Sequence, residues 1–230
     1  MISMSLTNYR DFLSKTPPVP DRDAQEQLVR KVGANISAAV VKYMNSHGQK
    51  DRVNGYNWEF NLVKNSEVNA WCMPGGKVVV YTGLLPVTQN ETALACVMGH
   101  EIAHAVARHG NERLSQLLIV ELGGLGLDLA LSQQSQKTRQ LADMAFGVST
   151  TVGVLLPYSR MHESEADKLG IVFMAMAGYD PHEAITFWER MAKQNKSSMP
   201  AFLSTHPSDE QRVKDLKDFL PTAMGFYTKH

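Results

Sequence analysis

The stretch from Glu91 to His109, ETALACVMGHEIAHAVARH, constrains this chain more than any other. Leu94, Val97, Met98, Ile102 and Ala105 recur at helical spacing and form one inward stripe, which predicts a helix over the whole stretch. On such a helix His100 and His104 project from one face about one turn apart, so that two imidazole nitrogens can meet a single zinc ion at about 2.0–2.1 Å. Glu101 is offset by one helical step, which places its carboxylate near the open position of such an ion, where it can take a proton from water without ligating. With 8 His and 12 Glu in 230 residues, this spacing arises by chance in roughly one such chain in seventy, so the pair alone does not establish a metal. A third ligand is required.

Glu163-Ser-Glu-Ala-Asp167 follows His104 by 59 residues, in the first turns of another amphipathic segment, and puts Glu163 and Asp167 on one face. Glu163 there completes a His, His, Glu set with a fourth position left for water, while Asp167 accepts the other ring N–H of a ligand histidine and fixes its tautomer. His162 points about 100° away around the same helix, and His109 faces off the ligand stripe; both read as surface or packing histidines. His182 reads as a helix-start residue, and His47 and His230 lie at a turn and at the chain end. His206, in Ser204-Thr-His-Pro-Ser208 with Arg212 soon after, stays open between three roles. It is a fourth ligand that blocks water, a donor with Arg212 to an oxyanion, or simply the start of the last helix.

Around these motifs the chain reads as an α+β protein, mainly helical, with a small three-stranded, mainly antiparallel sheet. Ile2, Leu6, Tyr9 and Leu13 predict a short docked helix, Thr16–Pro20 an extended linker, and Asp21–Asn45 a long amphipathic helix stopped at Ser46-His47-Gly48. Strands are expected at Tyr56–Val63, Val68–Met73 and Val78–Thr82, the last two joined at Pro74-Gly75-Gly76. Helices then run over Glu91–His109, Glu112 to about Gln133, Gln136 to about Val154, Ser159–Ala177, Pro181–Lys193 and Ser208–Leu220. The organisation expected is an arm and linker over 1–20, one domain over 21–220 and a tail over 221–230. Residues 112–154, with Gly123, Gly124 and Gly126, form either a mobile hairpin over the cleft or a static helical layer. Cys96 reads as packing, and its pairing with Cys72 stays open.

Composition narrows the partners. Lys plus Arg number 23 and Asp plus Glu 23, dispersed along the chain, which argues against a nucleic-acid partner. The most apolar stretch, Leu114–Leu131, is interrupted by Gln116, Glu121 and Asp128 and makes a poor membrane span. The first ten residues lack a basic start followed by an apolar run, so the expectation is a cytoplasmic protein or a trimmed mature part.

Taken together, NAWCMPGGKVVVYTGLL over Asn69–Leu85, His100-Glu-Ile-Ala-His104, Glu163-Ser-Glu-Ala-Asp167 and Thr205-His-Pro207 with Arg212 resemble metallopeptidase family 48, from about Asp21 to Leu220. The resemblance implies a gluzincin fold, with a zinc-bearing helix pair packed on a small sheet. It implies one zinc per chain held by His100, His104 and Glu163, Glu101 as general base and Asp167 as brace. The family's substrate-binding edge strand falls on Asn69, Ala70, Trp71, Cys72 and Met73, where an extended peptide adds by main-chain hydrogen bonds. His206 matches the position that, in some periplasmic relatives, lies on a loop that plugs the zinc. The implied substrates are unfolded or misfolded proteins, and the implied setting is the periplasm or cell envelope, with the cytoplasm as alternative. A second reading is a latent, client-binding, chaperone-like module. The chain departs from the membrane members, since nothing in it reads as a bilayer span, and prenyl-protein processing is not expected.

Overall fold

The computed structural model describes residues 2–121, 160–194, 201–206 and 210–228. In chain order the elements are α1 (Ile2–Lys15), α2 (Ala24–Ser46), β1 (Glu59–Val63), β2 (Ala70–Met73), β3 (Lys77–Tyr81), the single turn α3 (Leu85–Thr88), α4 (Glu91–Ala107) and α5 (His109–Glu121). They continue with α6 (Arg160–Met176), α7 (His182–Gln194), α8 (Ala201–Thr205) and α9 (Glu210–Met224). This is the α+β, mainly helical architecture expected. The helix predicted from Gln136, most of the one predicted from Glu112, and with them the hairpin proposed over the cleft lie outside the described residues.

Local chemistry sets the boundaries. The Asp23 carboxylate accepts from the Gln25 and Glu26 amides and starts α2, and Gly48, at φ +70°, carries the chain out of it. Between them Val29, Val32, Ile36 and Val40 are fully buried. At the β2–β3 turn Gly75 and Gly76 both have positive φ, and a Cβ on Gly76 would lie 2.7 Å from the Trp58 ring, so glycine there is sterically required.

The sheet order is β1-β3-β2, with β2 antiparallel and β1 parallel to β3. The expectation of a mainly antiparallel sheet is therefore corrected to an evenly mixed one. The hairpin folds β3 back into the centre, where it meets β1 running in the same direction. Alternating polarity is seen only in the segment of β1, and β2 and β3 are buried at every position; neither pattern tells the direction of a neighbouring strand. The outer border of β1 is covered: the Val19 amide donates to Leu62 O at 2.8 Å, and the Leu62 amide donates to the buried Glu26 carboxylate at 2.6 Å. β2 forms the other border of the sheet.

One sheet face, with Leu62, Ala70, Cys72, Val78 and Val80, joins the main core built by α2, α4 and α6; the other, with Val63, Trp71, Met73, Val79 and Tyr81, is covered by α1 through Tyr9 and Phe12. The helix predicted at residues 2–13 is thus docked on the sheet. α4 is the central element, buried at every position from Ala93 to Ala107. It crosses α6 in backbone contact: a Cβ on Gly99 would lie 2.9 Å from Gly170 O, and one on Gly170 would lie 2.8 Å from the His100 amide nitrogen. This glycine pair brings the first turns of α6 against His100. Cys72 and Cys96 are buried free thiols. Among the described residues no helix is long and apolar enough to cross a membrane.

Candidate metal centre

Asn90 caps α4, its side chain accepting from the Ala93 amide at 2.7 Å, and the helix then carries His100 and His104 inward toward α6. His100 Nε2 and His104 Nε2 are 3.1 Å apart. Glu163, in the first turn of α6, places Oε1 at 3.3 Å from His104 Nε2 and Oε2 at 3.5 Å from His100 Nε2. His206, just past α8, completes the group, with Nδ1 at 3.2 Å from His100 Nε2 and 3.0 Å from Glu163 Oε1. All four side chains are buried.

This donor set fits a metal on two counts. Four ligands bonded to one zinc at about 2.0–2.1 Å in a tetrahedron stand about 3.3–3.4 Å from one another. Here His100 Nε2 lies 3.1 Å from His104 Nε2 and 3.2 Å from His206 Nδ1, Glu163 Oε1 lies 3.3 Å from His104 Nε2 and 3.0 Å from His206 Nδ1, and all four donors lie within 4.8 Å of one another. The charges agree as well: three acidic side chains, Glu101, Glu163 and Asp167, lie buried around one guanidinium, that of Arg212, an excess of acidic groups that a bound cation offsets. The electrostatics of the side chains alone show the same demand for positive charge. Burial alone would lower His100, yet the Asp167 and Glu163 carboxylates push it up to about 9. Burial would raise Glu163, but His206 and Arg212 hold it well below the usual carboxylate range, whereas burial pushes His104 well down.

Asp167 Oδ1 is 3.0 Å from His100 Nδ1, on the side of the ring away from Nε2. Arg212, from α9, donates to Asp167 through Nε at 2.6 Å and Nη2 at 2.7 Å, places Nη1 at 3.0 Å from Glu163 Oε2, and holds its guanidinium carbon over the Trp188 ring, 3.4 Å from the centroid. The guanidinium is thereby committed to Asp167, behind His100, and to the candidate ligand Glu163. Glu101 is buried, and its Oε1 makes no hydrogen bond; His206 Nε2 lies 3.5 Å away. Burial pushes this carboxyl up, against the opposite pull of His206 and His100. The His206 ring thus sits between Glu101 and the three other candidate ligands. Its ring stacks on Phe202 with centroids 4.8 Å apart, and the Phe202 amide donates to Val68 O, just before β2, at 3.0 Å. Asn69, Ala70, Trp71, Cys72 and Met73 run on from that point, with β2 packed beside α4.

Of the two roles read for His109, surface or packing, the structure shows the buried one, but it places the ring against the ligand stripe and not off it. His109 is buried, with Nδ1 at 2.9 Å from His104 Nδ1 and Nε2 at 3.2 Å from Glu165 Oε2. α4 ends at Arg108, which adopts φ +67°, so His109 starts a new helix and turns back under His104 instead of continuing around the old one. Beside it His162 stacks at 4.4 Å and meets Glu112 at 2.8 Å. A continuous helix over Glu91–His109 hides this placement.

A two-histidine helix crossed by a helix that brings a glutamate to the same point, beside a small sheet, defines a zincin domain. The family model of peptidase family M48 matches residues 31–220, and the chain belongs to that family of metal-dependent peptidases. It is 39% identical over 172 residues to the mitochondrial metalloendopeptidase OMA1 of Schizosaccharomyces pombe, covering 72% of this chain and 48% of that protein. The OMA1 of Saccharomyces cerevisiae is 33% identical over 203 residues, 84% of this chain and 56% of its own length. The beta-barrel assembly-enhancing protease of Escherichia coli is 32% identical over 194 residues, 78% of this chain and 38% of its own. The chain therefore spans between about two fifths and just over half the length of these relatives.

Proposed function

We propose that this chain is a zinc endopeptidase that cleaves extended segments of unfolded or misfolded proteins, and that His206 holds it in a closed state. The observation that carries this reading is the convergence of His100, His104 and Glu163 on one point, with the unpartnered Glu101 oxygen facing the place His206 fills. In this assignment His100, His104 and Glu163 hold the ion, Asp167 orients His100, and Arg212 positions Asp167 and Glu163. Bound zinc supplies Lewis-acid polarisation of the scissile carbonyl and makes water more acidic. Glu101 takes the proton of the attacking water and returns it to the leaving amine; its burial, which raises its carboxyl, suits both transfers. The edge strand over Asn69–Met73 receives the substrate main chain, which favours extended segments with little sequence preference. His206 has to leave before water and substrate enter together.

The names of the relatives support finer readings. A beta-barrel assembly-enhancing protease favours protein quality control in a cell envelope, and a mitochondrial metalloendopeptidase favours an organelle. A second reading, a latent module that holds clients on its edge strand without hydrolysing them, has the placement of His206 in its favour.

Zinc-loaded wild type, Glu101→Gln and His206→Ala tested on an unfolded protein such as casein separate the two. Cleavage by wild type or His206→Ala that falls by about 10³-fold or more with Glu101→Gln supports the peptidase, since general base and nucleophile activation are lost together. No cleavage by any of the three, with client binding retained, supports the second reading.

A further inference from the structure

The two histidines of α4 are braced in different ways. His100 turns Nδ1 to a buried carboxylate, that of Asp167, which Arg212 clamps. His104 turns Nδ1 to another imidazole, that of His109, at 2.9 Å, and His109 turns Nε2 to Glu165 at 3.2 Å. We propose that His109 is a positioning residue for the metal centre: it holds His104 in the one tautomer and ring orientation that leave Nε2 free for the ion, with Glu165 terminating the relay.

The proton arrangement follows from the geometry. A His104 whose Nε2 faces the other ligands carries its proton on Nδ1, and that N–H donates to the lone pair of His109 Nδ1. His109 then carries its own proton on Nε2, which donates to the Glu165 carboxylate. The His109 ring is fixed by stacking on His162, with centroids 4.4 Å apart and planes 19° apart, and His162 in turn meets Glu112 at 2.8 Å. His109 and Glu112 begin α5, and His162 and Glu165 lie with Glu163 in the first turns of α6, so the relay joins the helix after the zinc helix to the helix that brings the third ligand.

This inference rests on the reading of His104 as a metal ligand, and zinc affinity, measured by competition with a chromophoric chelator, tests the two separately. His109→Phe keeps the bulk and removes the acceptor, whereas His109→Asn keeps an acceptor near the position of Nδ1. Zinc is expected to bind about 10- to 100-fold more weakly to His109→Phe, and within about threefold of wild type to His109→Asn. Glu165→Ala, at a largely exposed side chain, is expected to weaken zinc about three- to tenfold, and it carries the test together with His109→Asn if the Phe variant does not fold. Wild-type affinity in His109→Phe or in Glu165→Ala, or a loss with Asn as large as with Phe, overturns the positioning role. Wild-type protein that takes up no zinc overturns the metal centre and the relay with it.

Discussion

Gly170→Ala tests whether the crossing of α4 and α6 sets the geometry of the centre. Helix propensity alone predicts that the change stabilises α6 by about 1 kcal/mol, because alanine loses less conformational freedom on folding. The structure predicts the opposite sign. A Cβ at Gly170 would lie 2.8 Å from the His100 amide nitrogen, 3.0 Å from Gly99 C and 3.0 Å from His100 Cα, all backbone atoms of a helix buried on every side. Restoring an ordinary contact of about 3.4 Å moves the helices apart by roughly 0.6 Å, and overpacking of this kind costs about 2–3 kcal/mol at a rigid site. The net expectation is a loss of about 1–2 kcal/mol in urea unfolding of the metal-free protein. Asp167 and Glu163 lie one and two turns earlier on the displaced helix, and metal–ligand distances tolerate only about ±0.2 Å, so zinc affinity is expected to fall by about tenfold or more. A variant that is more stable by about 1 kcal/mol and binds zinc as wild type does would refute the reasoning.

Three further outcomes are expected. His206→Ala raises peptide turnover about tenfold while zinc stays near one per chain, which corresponds to a closed-state bias of about 1.4 kcal/mol; unchanged or lost turnover in a peptidase assay counts against the latch. Arg212→Ala leaves two buried carboxylates without their shared cation and destabilises the metal-free protein by about 3–5 kcal/mol in urea unfolding, whereas a loss below about 1 kcal/mol contradicts the clamp. Burial alone would raise the Asp167 carboxyl, but Arg212 and the His100 ring hold it below its ordinary value. A depressed carboxyl contributes stability that is fully present above its unfolded value and is lost as pH falls through its folded one. The same contact raises His100 to about 9, against the pull of burial, and that contribution is fully present below about pH 6.5 and is lost as pH rises toward 9. The stability deficit of metal-free Asp167→Asn relative to wild type is therefore expected to be largest between about pH 5 and 6 and to shrink both below about pH 4 and above about pH 6.5, and urea titrations that show no shrinkage on the acid side refute the Asp167 shift.

Periodicity and spacing placed α1, α2, α4, α6, α7 and α9 in their order, because apolar residues recur at helical spacing in them and Asp23 and Asn90 cap α2 and α4, although α4 proves to be buried all round and not along one stripe. The β2–β3 hairpin was legible from Pro74-Gly75-Gly76, but the pairing of β1 with β3 was not, since the side-chain patterns of the two strands are the same whether they run parallel or antiparallel. Among the site residues, His100, Glu101, His104, Glu163 and Asp167 stand out by type and spacing, and the structure brings them together. His109 does not, because its placement depends on one left-handed residue, Arg108, which no local pattern announces. The glycine pair did leave a signal: Gly99 and Gly170 lie inside helices where glycine costs about 1 kcal/mol, which marks a close backbone approach. Arg212 was legible only as a nearby charge, since its fork onto Asp167 joins two helices 45 residues apart in sequence.

The most direct test of the account is the metal content of each chain, by plasma mass spectrometry on protein purified without a metal-binding tag, for wild type, His100→Ala and Glu163→Ala. The account predicts about one zinc per wild-type chain and almost none in either variant. Wild-type protein that carries no metal and takes up none when zinc is supplied would contradict it.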